Sequence, residues 1–126
     1  MSTLRVNTIQ DSTGSGTPAI NGLAKAWVNF NGTGTVAIRA SFNVSSITDD
    51  GTGSYAVNFT TAMSDSNYSV VSGGYNSTGT GFPAYSTVVT TVLGFPYTSG
   101  IARVKCYQTN ASGSYDTEYL GISVFR

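Results

Sequence analysis

The chain has 126 residues, six basic and six acidic side chains, and no histidine. One cysteine (Cys106), one glutamate (Glu118) and two lysines (Lys25, Lys105) leave little of the equipment that nucleophilic, acid–base or metal chemistry draws on. Zero net charge without a basic stripe argues against nucleic acid as a partner, and no apolar run approaches the ~18 residues of a helical membrane span.

What remains is rich in Gly, Ser, Thr, Tyr and Val. The length suits one domain, and a chain of this size buries about two thirds of its unfolded surface, enough for a single core. An apolar share of 40% is slightly low, so part of the surface is expected to lean on a neighbour. A lone cysteine forms no internal disulfide, and no secretory pattern opens the chain, so folding in a reducing cytoplasm is expected.

Leu4–Ile9 is the first strand candidate; it is too short to fold alone and must pair with the main domain or another chain. Asp11–Asn21 has the Gly, Ser and Thr content of a flexible linker. The chain therefore divides into an N-terminal arm and linker over residues 1–22 and a β domain over 23–126.

In Ala24–Phe30, Trp27 lies on the face of Lys25 and Asn29, opposite Val28 and Phe30, and reads as a core or subunit-interface residue. Asn31-Gly32-Thr33-Gly34 has the chemistry of a hairpin turn, because Asn and Gly tolerate positive φ. Thr35–Ile47 reads as one long strand with Val36, Ile38, Ala40, Phe42 and Val44 on one face. After a turn at Asp49-Asp50-Gly51, Ser54–Thr60 alternates cleanly, with Tyr55, Val57 and Phe59 on one face. Further strands are expected at Asn67–Gly73, Ser86–Leu93, Ile101–Gln108 and Glu118–Arg126, with a turn at Asn110–Gly113. Helix formers are scarce, and a glycine in a helix costs ~1 kcal/mol relative to alanine. The expected fold is all-β: an antiparallel β-sandwich, jelly-roll or Ig-like, preceded by a short arm.

Three blocks carry a resemblance. They are Ser2–Gln10 (STLRVNTIQ), Lys25–Thr35 (KAWVNFNGTGT) and Tyr55–Tyr68 (YAVNFTTAMSDSNY). In this order they resemble fibre-like virion proteins of tailed phages, notably those of marine cyanobacteria. The resemblance implies a structural protein made in the host cytoplasm and carried on the tail or capsid surface. It implies a short homotrimeric tail fibre or receptor-binding module. The arm, through Leu4, Val6 and Ile9, would trimerise or attach to other virion proteins. The β domain would meet a host-surface glycan or envelope protein. No long shaft separates arm and domain, so a short fibre, a tip module or a decoration is implied. A capsid decoration, head fibre or tail adaptor with a purely structural role is the alternative.

Gly73–Gly100 is the main receptor-binding candidate, with Tyr75, Asn76, Phe82, Tyr85 and Tyr97 set among Gly, Ser and Thr. That is the composition of adaptable binding loops, and the flat tyrosine ring with its hydroxyl suits stacking on sugars. Tyr115 and Asp116 form a second candidate. The competing reading has these aromatics capping the domain or packing between subunits. Asp49-Asp50, Asp65 with Asn67, and Asp116 with Glu118 read as Asx turns. A calcium site needs ~6–8 oxygens, so no metal is expected, nor any cofactor. Cys106 reads as a small buried residue. An enzyme cleaving host polysaccharide would need paired carboxylates, and the six acids form no clear constellation.

Overall fold

Alternation gives most strands one apolar face, and eight strands pack as two sheets in the computed structural model. The structure describes residues 22–77, 85–88, 96–108 and 113–126, besides Ser2. The strands are β1 (Ala24–Asn31), β2 (Ala37–Phe42), β3 (Val44–Gly51), β4 (Ser54–Phe59), β5 (Ser69–Tyr75), β6 (Tyr85–Val88), β7 (Ile101–Gln108) and β8 (Tyr119–Phe125). One sheet has the order β2-β1-β8-β5 and the other β3-β4-β7-β6, with every neighbouring pair antiparallel. No helix occurs among the described residues. The expected β-sandwich is therefore the fold.

The core is the space between the two sheets. Ala26, Val28 and Phe30 of β1 and Leu120, Ile122 and Val124 of β8 face Tyr55, Val57 and Phe59 of β4 and Ala102, Val104 and Cys106 of β7. Burying a side chain of Val, Leu or Phe size stabilises by about 1.5–3 kcal/mol. Phe30 meets Tyr55 edge to face at 5.2 Å and 77°, an arrangement worth about 0.5–1.5 kcal/mol beyond the buried area. Cys106 is buried in this core, as its place in the alternation predicts.

Thr35–Ile47 is not one strand. The chain turns at Asn43, whose φ of 54° lies in the left-handed region, and passes from β2 in one sheet to β3 in the other. Asn43 tolerates that conformation because its side chain is anchored. Nδ2 donates to Lys25 O (3.0 Å) and Thr61 O (3.1 Å), and Oδ1 accepts from Thr61 N (2.8 Å). Asparagine at this position keeps the polar phase of the alternation, which is why the sequence reads as unbroken.

The expected apolar face of that run also fails to form. Every residue of β2 is exposed. A register shift opposite Asn29/Phe30 puts Phe42 level with Trp27 on the outer face, while Ile38 lies level with the inward Phe30. Trp27 is 39% exposed, so the core half of its expected reading is corrected: it stands on the outer face of its sheet. Tertiary pairing decided this, because β1 buries its Ala26-Val28-Phe30 face and leaves the Trp27 face outside.

The sandwich has two distinct ends. At the base, β1 begins and β8 and Arg126 end, with Ala24 level with Phe125. At the tip lie the end of β1, the β3–β4 turn, the end of β5 and the start of β8. The expected strand Leu4–Ile9, the linker Asp11–Asn21, Phe82 and residues 89–93 of the expected sixth strand lie outside the described residues.

Candidate functional site

The tip is built around one part-buried polar pin. Asp116 Oδ1 accepts from Gly53 N (2.7 Å). The Tyr55 hydroxyl lies 2.8 Å from Gly32 O and 3.0 Å from the same Asp116 oxygen, so one proton is shared between two acceptors. Burial, reinforced by Asp116, pushes the Tyr55 phenol well above its ordinary range, and the group stays neutral. Gly32 N donates to the carbonyl of the buried Thr117 (2.9 Å), and Tyr115 N donates to Cys106 O (3.1 Å). These bonds tie the β1–β2 hairpin, the β3–β4 turn and the 114–118 loop together.

Two glycines are required by close approach. A Cβ on Gly53, whose φ is +65°, would lie 2.7 Å from both Tyr115 N and Tyr115 O. A Cβ on Gly32 would lie 2.5 Å from the Tyr55 hydroxyl and 2.8 Å from Thr117 O. Any larger residue there would push the tip loops apart.

Above the pin lies a polar and aromatic rim. Glu118 Oε2 accepts from Ser77 N (3.0 Å) and Ser77 Oγ (2.6 Å). The Ser77 hydroxyl, followed by its backbone N–H, holds the Glu118 carboxyl below the usual carboxylate range. Asn76 Oδ1 accepts from Glu118 N (2.5 Å), fixing the start of β8 to the end of β5. Arg39 Nη1 donates to Glu118 O (2.7 Å), and the guanidinium sits 4.1 Å above the Tyr119 ring. Tyr119 stacks on Tyr75 at 4.5 Å and 5°. Arg39, Tyr119 and Tyr75 thus form a ladder across β2, β8 and β5.

The structure gathers some of the sequence candidates and separates others. Tyr75, Asn76, Tyr115 and Asp116 lie together at the tip, and Tyr85 opens β6 level with Gln108 at the same end. Tyr75 is 54% and Tyr115 39% exposed. Asp116 carries the structural pin and Asn76 a strand junction. Tyr97 lies at the base instead, stacked on Tyr68 at 5.2 Å and 15° and packed against the core. Burial raises its phenol above the ordinary value. Phe82, Leu4, Val6 and Ile9 lie outside the described residues.

Asp49 Oδ1 accepts from Gly51 N (2.9 Å) and Asp65 Oδ1 from Asn67 N (2.7 Å), which are the expected Asx turns. Among the described residues no group of three or more His, Cys, Asp or Glu is placed to hold a metal ion. The base carries an open cleft of about 380 Å³ lined by Lys25, Asn43, Thr61, Ala62, Met63, Ser64 and Arg126. Sequence reading passed over Arg39 and Tyr119. Their partnership depends on strands 79 residues apart in the chain for the Arg39–Glu118 contact, so no local signal marks it.

Chemically, the tip offers fixed hydrogen-bonding groups and exposed phenol rings beside the carboxylates of Asp116 and Glu118. Such a surface suits multipoint contact with a hydroxyl-rich ligand. Comparison of the chain with models of protein families, with curated proteins and with solved structures yields no match.

Proposed function

We propose that the chain is a virion structural module of a tailed phage, a short homotrimeric fibre or receptor-binding domain that meets a hydroxyl-rich host-surface ligand. The polarity of the domain carries this reading. The chain arrives at the base through Leu23 and Ala24, whereas Asn76, Tyr115 and Glu118 lie at the tip. The eight residues of β1 separate the two ends by roughly 26 Å at ~3.3 Å per residue. An arm at the base would hold the particle, and the tip would point away from it. Three weak tip sites on one assembly bind through avidity.

The test has two parts. Antibody labelling of particles should place the domain on the tail or capsid surface. The purified protein should bind host cells or envelope glycans, and Tyr115→Ala should weaken that binding by about tenfold or more without changing native mass. Particles lacking the chain would sink the virion reading. The exposed apolar edge strands favour a second, purely structural reading as a capsid decoration or tail adaptor. Labelled particles combined with no ligand binding by the wild type would select it.

A further inference from the structure

The outer face of the β2-β1-β8-β5 sheet carries a trough that neither the core nor the tip pin uses. Its floor is one level row, Ala40, Asn29, Gly121 and Gly73. The next row toward the base, Phe42, Trp27, Ser123 and Val71, makes one wall. The Arg39–Tyr119–Tyr75 ladder makes the other. We infer that this trough binds a strand of acidic polysaccharide, its sugar rings laid across the strands between the aromatic walls. The surface is distinct from the tip contact proposed above, and it rests on that reading only in taking a hydroxyl-rich ligand.

The floor is open where the fold does not require it to be. Gly73 and Gly121 are level partners in the middle of β5 and β8. A Cβ on Gly73 would meet nothing within 4 Å, and one on Gly121 only Gly73 O at 3.7 Å. Neither glycine has a positive φ. Gly74, one residue on, is the contrast, because its Cβ would lie 2.6 Å from Tyr119 O. Glycine inside a strand weakens it and marks a place where something approaches the backbone closely. Internal packing supplies that reason at Gly74. At Gly73 and Gly121 a ligand on the outer face supplies it.

An unpaired polar atom lies in the same row. Asn29 Oδ1 is buried without a hydrogen-bond partner among the described residues. Buried polar atoms are nearly always paired, so this one calls for a partner. A small turn of the amide brings its oxygen or its nitrogen to the floor, where a sugar hydroxyl pairs with either. The walls add an indole N–H from Trp27 and hydroxyls from Tyr75 and Tyr119. Rings that join a flat apolar face to one polar group suit sugars, which have C–H faces and hydroxyl edges.

Charge selects an acidic sugar. Lys25 and Arg39 are the charged residues of the four strands, and both are positive. The carboxylate of Glu118, just before β8, is held by the Ser77 N–H and hydroxyl. Arg39 is exposed and donates through Nη1 to a backbone carbonyl. The rest of its planar fork is left to pair with a ligand carboxylate. Stacking on Tyr119 holds the guanidinium in place for that contact.

Size and shape argue against a protein partner in the trough. With roughly 150–250 Å² for a whole side chain of this kind, the exposed parts of Trp27, Phe42, Val71 and Tyr75 amount to on the order of 400 Å². A stable protein interface buries ~800 Å² per partner. The floor is also a sheet face rather than an edge, so a peptide strand finds no backbone groups to pair with. From Tyr119 to Ser123 the walls stand about 13 Å apart at ~3.3 Å per residue. The row crosses four strands, about 14 Å at ~4.8 Å per spacing. A trough of that shape holds a short run of sugar rings.

The test is titration of the full chain with tetrasaccharides of galacturonate, alginate and hyaluronan. Binding is read by calorimetry and by the emission of Trp27, the single tryptophan of the chain. At least one acidic sugar should bind saturably and shift that emission, and its methyl ester should bind at least tenfold more weakly. Gly73→Val puts a strand-favouring side chain into open space, so circular dichroism should show an intact fold while binding drops tenfold or more. Trp27→Ala should lose binding by calorimetry to a similar extent. Tyr107→Ala, an exposed aromatic on the other sheet, should bind as the wild type does. No saturable binding of any of these sugars, equal binding of the ester, full binding by Gly73→Val, or equal loss in Tyr107→Ala would each overturn the inference. Loss in Tyr115→Ala with full binding by Gly73→Val and Trp27→Ala would also overturn it, while leaving the tip contact in place. Particle labelling enters none of these results, so the virion reading stands or falls separately.

Discussion

Asp116 shows how a loop residue of acidic type serves architecture before recognition. Its Oδ1 holds Gly53 N and shares the Tyr55 proton with Gly32 O, so the 114–118 loop, the β3–β4 turn and the β1–β2 hairpin are tied through one carboxylate and one phenol. Asp116→Ala should cost about 1–3 kcal/mol in urea unfolding, because Gly53 N loses its only partner in that pin. Tyr55→Phe should cost about 1 kcal/mol, since the ring and its contact with Phe30 remain. Cys106 gives a pH prediction. Burial pushes its thiol up to about 11 from an ordinary 9.0, only partly opposed by a hydrogen bond with Thr117. The folded state therefore disfavours the thiolate. The associated stability is fully present below pH 9.0 and is lost as the pH rises toward about 11 and beyond. At neutral pH a disulfide-exchange reagent should leave the native thiol untouched and label it on unfolding.

At the scale of elements, the corner at Asn43 and the junction at Glu118 decide how strands meet. Asn43→Ala should destabilise by about 2–4 kcal/mol, through loss of the three side-chain bonds and the cost of positive φ for a residue with a Cβ. Asn43→Gly removes the same bonds but not the backbone tolerance, so its unfolding midpoint should lie above that of Asn43→Ala. Acid acts on the exposed carboxylates. Ser77 holds Glu118 below its ordinary range, and the Asn67 backbone N–H, followed by Arg126, does so for Asp65. Depressed folded values mean that this stability is present above the ordinary values of 4.5 and 3.8 and is lost as the pH falls through the lower folded ones. Glu118→Gln should flatten the acid limb of the stability profile near the β5–β8 junction, seen as a lower protection factor at the Tyr119 amide that no longer falls further as the pH is lowered through the acid range.

At the scale of the whole molecule, the base-to-tip polarity concerns what the domain faces, and native mass concerns how many copies stand together. If the β domain carries the assembly of the proposed trimer, a chain beginning at Leu23 should keep the native mass of the full chain in light scattering, whereas dissociation on shortening would make residues 1–22 the assembly element. The exposed β2 strand also explains why an apolar share of 40% suffices for this fold. Its alternating residues do not enter the monomer core, so the core is smaller than the strand pattern implies.

Composition and alternation determined the class of fold. Few helix formers, frequent glycine and period-two runs leave a sandwich as the way to bury Val57, Phe59, Val104 and Ile122, because a strand with one apolar face must cover it with another. The same alternation located β1, β4, β7 and β8 to within about two residues, as local chemistry sets both their face and their turns. Tertiary structure alone decided the break at Asn43, the outward face of Trp27, the gathering of Tyr75, Asn76, Tyr115 and Asp116 at one end, and the departure of Tyr97 to the other. Alternation states that two faces differ without stating which is covered. That choice is made by the sheet that packs above, from residues distant in the chain.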